Sequence, residues 1–180
     1  METSTERREG KMNMQEMMEM LKTLGTPGAP HKLLAGTEGS WAAQVKTWID
    51  PTKQSIYSTG TAERRMILDG RFLREEITSN VMGIVFNGIG FTGYDNSTKK
   101  YVSAWMDSSS TGIHFFEGIA SEDGKTITLE SPYYDDPIRG PIKWHSVARI
   151  VAENSFLFEL YSVDKKGKEE KMMEVTYTRK

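Results

Sequence analysis

The stretch Asp69-Gly70-Arg71-Phe72-Leu73-Arg74-Glu75-Glu76-Ile77-Thr78-Ser79-Asn80-Val81-Met82-Gly83-Ile84-Val85-Phe86-Asn87-Gly88-Ile89-Gly90-Phe91-Thr92-Gly93-Tyr94-Asp95-Asn96-Ser97 decides the fold. Two runs rich in β-branched and aromatic residues, 71–80 and 83–94, sit between the turn residues Asp69-Gly70 and Asp95-Asn96-Ser97. Such residues suit a pleated, half-buried surface, and the Asp-Gly and Asp-Asn-Ser clusters supply chain reversals. The second run carries Gly83, Gly88, Gly90 and Gly93. Glycines inside a strand mark bulges or strong coiling at a barrel corner, or leave room for a ligand near the backbone; coiling is the preferred reading.

The same grammar extends in both directions. Asp50-Pro51-Thr52-Lys53, Asp123-Gly124 and Lys166-Gly167 are further reversals. The spacing predicts ten strands, at 40–49, 56–68, 71–80, 83–94, 100–108, 112–121, 125–131, 141–151, 155–163 and 170–179. Short links between successive strands give an up-and-down antiparallel meander, and ten strands must close or leave long edges unpaired. The expected fold is all-β: a closed antiparallel up-and-down barrel of about ten strands. The connection from Ser131 to Gly140 is the longest irregular one, and its Tyr133, Tyr134, Asp135 and Asp136 suit a lid at the barrel mouth.

Ahead of the barrel (31–180) lie a polar tail at 1–11, read as disordered, and a methionine-rich helix with its linker at 12–30. Asn13 and Glu16 have capping-box spacing, Gly25 and Pro27 stop the helix, and Met14, Met17, Met18, Leu21 and Leu24 share one face. That face either covers the open end of its own domain, the preferred reading, or serves as an adaptable lid or partner-binding surface. The helix and the 131–140 loop are expected to border the same opening. Residues 31–34 make one short helical turn.

Composition excludes several functions. A net charge of −2 with no basic cluster interleaved with aromatics disfavours nucleic acid. The absence of cysteine removes disulfides, zinc thiolates and thiol nucleophiles. No secretory leader or membrane span is read, so a soluble, cytoplasmic protein is expected.

Gly39-Ser40-Trp41 resembles the Gly-x-Trp signature opening the first lipocalin strand, and in that superfamily a late arginine packs over the tryptophan. Arg179, in Tyr177-Thr178-Arg179, stands in the matching place, as a cation–π latch. The series Leu34-Ala35-Gly36, Gly70-Arg71-Phe72-Leu73, Gly93-Tyr94-Asp95, Trp105-Met106-Asp107-Ser108 and Tyr177-Thr178-Arg179 is similar to a bacterial domain-of-unknown-function family grouped with the lipocalin-like (calycin) barrels. The resemblance spans about residues 30–180 and implies the fold but no activity.

Candidate site residues follow from parity. Trp105 and Asp107 share one strand face, so the indole can stack a ligand while the carboxylate orients a polar group; alternatively Asp107 caps the Ser108-Ser109-Ser110 loop. Tyr94 and Trp144 join them as lumen candidates. Glu63 with Arg65, and Arg74 with Glu76, are pairs that either line a polar lumen or, preferably, face solvent. Arg71 can bind loop carbonyls or a ligand carboxylate. Among the histidines, His114 and Glu117 fall on opposite faces, which argues against a metal site; His145 is the better lumenal candidate. No metal or cofactor is expected.

The first functional reading is a non-catalytic barrel holding a small, partly apolar or amphiphilic ligand, lined by Trp105, Asp107, Tyr94, Trp144, Glu63 and Arg71. The second is a barrel enzyme of isomerase, cyclase or hydrolase type using a lumenal carboxylate or tyrosine. The third is a filled structural barrel that forms a homodimer through apolar groups on both faces of the strands around Phe115-Phe116 and Leu157-Phe158.

Overall fold

The computed structural model describes residues 13–180; the tail read as disordered at 1–11 lies outside the described residues. Two helices, α1 (Met14–Gly25) and α2 (Ala29–Ala35), precede eleven strands. These are β1 (Gly39–Thr47), β2 (Ile56–Ile67), β3 (Phe72–Val81), β4 (Ile84–Asp95), β5 (Lys100–Asp107) and β6 (His114–Ala120). They continue with β7 (Thr126–Glu130), β8 (Tyr134–Asp136), β9 (Gly140–Ala152), β10 (Ser155–Asp164) and β11 (Glu169–Arg179).

All pairings are antiparallel between neighbours, from β11–β1 round to β7–β9, and β9–β10 closes the ring. Ten strands therefore form a closed lipocalin-like barrel. The eleventh, β8, is a three-residue extension along the β7 side of β9, inside the connection expected to be irregular. Ser131 makes the last β7-side ladder bond to Trp144 O (2.9 Å), and Pro132, lacking an N–H, then breaks the strand.

Local chemistry sets the hairpins. Val81 pairs Ile84 around Met82-Gly83, whose φ values of 53° and 87° are both positive, the tight reversal that matches strand twist. Glycine takes the second of these positions at no steric cost.

Period-two burial defines the interior. In β1, Trp41, Ala43 and Val45 are buried while Ala42, Gln44 and Lys46 face outward. From Trp41 the register runs inward through Ala62, Ile77, Gly88 and Asp107. One apolar cluster joins Trp41, Ala62, Ile77, Phe156, Val175 and Tyr177, with Phe86, Trp105, Phe158 and Met173 packed against it. A second joins Leu34 of α2 to Leu73, Tyr101 and Leu129.

The helix that plugs the barrel is thus α2, which packs on β2, β3 and β4, with Leu34 and His31 buried. It is longer than the single turn expected at 31–34. The preferred reading of the methionine helix does not hold. Its capping box forms (Asn13 Oδ1 accepts from Glu16 N at 2.9 Å), yet α1 buries no residue. It is tied to the barrel where Asn96 Nδ2 donates to Leu24 O (2.9 Å) and Thr26 O (3.0 Å), at the β4–β5 turn on the plugged end. The β7–β9 connection lies at the other end, against the β1–β2 and β10–β11 loops: Arg139 Nη2 donates to Ile49 O (3.4 Å) and Tyr133 Oη to Asp164 O (3.3 Å). Helix and loop therefore do not border one opening.

The open end of the barrel as candidate functional site

At the plugged end, β1 and β11 meet in direct register at Trp41 and Arg179. The guanidinium carbon of Arg179 lies 4.3 Å from the Trp41 ring centroid, Nη2 donates to Gly36 O (3.2 Å), and Nη1 donates to Glu38 O. Trp41 Nε1 donates to Thr37 O (3.1 Å). Gly39 has φ 121°, and a β-carbon there would come within 2.6 Å of Arg179 Nη1. The glycine of Gly39-Ser40-Trp41 is thus required by the arginine.

The opposite end is different. Trp105 pairs Gly90 on β4 and His114 on β6, so it points inward. Its indole lies flat over Gly88 and Gly90, where added β-carbons would meet the ring at 2.3 and 2.8 Å. Glycines in β4 make room for this indole, a more specific cause than strand coiling. Trp105 Nε1 donates to Asp107 Oδ2 (2.8 Å), and Asp107 Oδ1 accepts from Ser109 N (2.9 Å) and Ser109 Oγ. The two alternatives for Asp107 are both realised: it caps the loop and holds the indole.

Across the mouth, Tyr134 and Asp136 of β8 share the inward face with Ile142, two residues from Trp144. The Tyr134 ring lies 6.1 Å from His114 and 6.4 Å from Trp144, centroid to centroid. Phe158 and Leu160 face them from β10, opposite Ala148 and Ser146. Ser58, Ser79, Ser146 and Ser162 are buried. Among the described residues, no side-chain hydrogen bond engages these four hydroxyls, so they leave unfilled polar capacity in the wall. By contrast Phe86, Trp105, His114, Tyr134, Trp144 and Phe158 point inward yet stay partly solvent-exposed.

The electrostatics limit the chemistry. Burial pushes the Asp107 carboxyl up, but hydrogen bonds from Ser109 and Trp105 outweigh it and the net shift is downward. Asp136 behaves likewise, burial being outweighed by the N–H groups of Ile138 (2.9 Å) and Arg139 (2.7 Å). Burial, with the Asp136 charge, pushes the Tyr134 phenol up to about 12. Near neutral pH both carboxylates are ionised and already accept internal donors, and the phenol keeps its proton. The mouth can stack a ligand and donate hydrogen bonds to it.

Several candidates lie elsewhere. Glu63 pairs with Ser40 on the outer face, where Ser40 Oγ donates to it at 2.6 Å, so it does not line the lumen. Arg65 and the Arg74–Glu76 pair are also outward. Arg71 donates to Leu68 O (3.0 Å) in its own turn. Tyr94 faces inward at the plugged end, edge-on to Tyr101 (5.0 Å) and His31 (6.0 Å). His145 is on the outer face beside Glu169, and His114 is the inward histidine. Among the described residues no His, Cys, Asp or Glu cluster is arranged to hold a metal.

The parity of β2 carries a further inward charge. Thr61, Glu63 and Arg65 make a wholly polar face, so Ala62, Arg64 and Met66 must face the core. Arg64 accordingly sits inside, its Nε 3.5 Å from Glu75 Oε2, with side chains 12% and 19% exposed. Tyr177 Oη donates to Glu75 Oε1 (3.0 Å), and the Arg64 guanidinium carbon is 4.5 Å from the Phe156 ring.

Comparison with known proteins agrees with the architecture. The solved structure of Rv2717c from M. tuberculosis is similar, with a TM-score of 0.63 and 14% identity over 86% of this chain and 99% of that one. An S-type phycobiliprotein lyase, CPES, from Guillardia theta has a TM-score of 0.56 and 12% identity over 83% and 91%. Identities this low carry the fold alone. A search of curated proteins finds no match. The model of DUF1579, described as a protein of unknown function, matches residues 26–179, all of the barrel and α2, and the chain belongs to that family.

Proposed function

We propose that this protein is a non-catalytic binding module, taking a small, partly apolar ligand through the open end of its barrel. One observation carries the reading: inward-facing aromatic side chains at that end remain solvent-exposed, above an apolar floor and between serine-bearing walls. A barrel of ten strands is wider than the eight-stranded kind that side chains just fill. Trp105, held by Asp107, offers a fixed stacking surface, and Trp144 and Tyr134 offer a second aromatic face, with the Tyr134 hydroxyl donating to Asp136. The phycobiliprotein lyase of similar fold is compatible with a barrel that handles a ligand. The enzyme reading gains less support, because the carboxylates at the mouth are committed to internal hydrogen bonds.

Titration with N-phenyl-1-naphthylamine, a neutral apolar fluorophore, tests the proposal. Saturable one-to-one enhancement with energy transfer from tryptophan is expected, reduced in Trp144→Phe and unchanged in Met17→Gln/Leu21→Gln. Enhancement abolished by the α1 substitutions, or absent altogether, would defeat the reading. Native mass spectrometry of protein from its own host would then identify a retained ligand.

A further inference from the structure

The plugged end holds a second concavity, of about 40 Å³, between α2 and the far ends of β7 and β9. Among the described residues its lining includes the cationic Arg64 and Lys125 and no carboxylate, Arg149 contributing from the outer face of β9. Leu33, Leu34 and Ile127 supply much of the rest of its wall.

Arg64 is the unusual member. Its Nε is buried and has no hydrogen-bond partner among the described residues. Its ion-pair partner, Glu75 Oε2, is 3.5 Å away, and the other Glu75 oxygen is occupied by the Tyr177 hydroxyl. A guanidinium carries five donors in a fixed fork that suits a carboxylate, and leaving it under-used inside a protein is costly. The donor set is thus short of an acceptor, beside a concavity large enough for a few atoms and lined with hydrocarbon.

We propose that this concavity is a second binding site, for a short-chain aliphatic carboxylate. The carboxylate would meet the Arg64 fork and the alkyl chain would lie along Leu33, Leu34 and Ile127. Lys125 at the rim adds positive charge, since Glu75 already offsets that of Arg64. The site lies at the opposite end from the open mouth, so either can fail without the other.

The test follows the arginine side-chain Nε–Hε resonances by NMR during titration with n-butyrate, using n-butanol and n-butylammonium as neutral and cationic comparators at constant ionic strength. Saturable movement of the Arg64 signal is expected with butyrate alone. Ala148→Leu, which fills the concavity, should weaken butyrate at least tenfold. Arg64→Gln/Glu75→Gln, which removes both charges together, should abolish the response; if that variant does not fold, Ala148→Leu decides alone. Equal response to n-butanol, failure to saturate, or undiminished affinity in Ala148→Leu overturns the proposal.

Discussion

Replacing Arg179 with methionine tests whether the barrel is closed by a latch or only by its ladder. Methionine keeps an apolar stem over the Trp41 ring but removes the charge and both donated bonds, to Gly36 O and Glu38 O. An arginine–indole contact contributes about 0.5–2 kcal/mol, and a charged hydrogen bond about 1.5–3 kcal/mol when buried. The bond to Glu38 is part-buried and that to Gly36 exposed, so most of the second figure must be discounted for solvent. A net loss of about 2–4 kcal/mol is expected, which for a chain this long lowers Tm by about 4–16 °C. Arg179→Lys should recover only a minor part, because an ammonium cannot fork to two carbonyls. Thermal and urea melts of the wild type, R179M, W41F and the double variant form a cycle whose coupling should be about 0.5–2 kcal/mol. A loss below about 0.5 kcal/mol, the range of an ordinary surface change, or full rescue by lysine would refute the latch.

Two further outcomes follow from the same geometry. Gly88→Ala places a β-carbon 2.3 Å from the Trp105 ring, so the indole must move and release Asp107; a loss of about 1–3 kcal/mol and an altered near-UV circular dichroism signal are expected, and an unchanged spectrum would contradict the placement. Asp95, half-buried in the β4–β5 turn, is held at about 2 by hydrogen bonds from Ser97 and, more weakly, Thr98. Its folded value lies below its unfolded one, so its stabilisation is complete above about pH 4 and is lost as pH falls toward 2. The acid limb of the stability curve should therefore flatten in Asp95→Asn, as read by urea melts across that window.

The strand grammar was legible because turn chemistry and period-two patterning act locally. Asp69-Gly70 and Asp95-Asn96-Ser97 bracket β3 and β4 as read, and Gly39, Trp41 and Arg179 share one corner of the structure. Burial of α1 was not legible, since an amphipathic face in sequence says nothing about whether another surface is in reach. β8 was missed for a different reason: three residues after a proline pair only because β9 already runs past them. Among site residues, Trp105 and Asp107 share a face by parity, whereas Glu63 faces solvent, the preferred side for its pair, because Ala62 and Met66 take the other face of β2. His114 and Tyr134 meet across strands that the sequence does not align.

The barrel is asymmetric in a way that bears on entry. At the plugged end, α2, the Arg179 latch and two apolar clusters act on the same turns. At the mouth, β6 pairs with β7 only from Glu117 to Ala120, and β8 pairs with β9 alone. Residues 114–116 and 134–136 therefore flank a seam with no strand ladder across it, bridged by the side chains of His114 and Tyr134. Backbone groups without a ladder partner open at far lower cost than core strands do. Native-state hydrogen exchange should find seam-facing amides of 114–116 and 134–136 the fastest in any strand, while those of β1 and β11 exchange only by global unfolding. A ligand seated between Trp105, Tyr134 and Trp144 spans this seam and should slow both segments together. Protection of only one of them on ligand binding would place the ligand elsewhere, and uniform slow exchange across the seam would remove it as the point of entry.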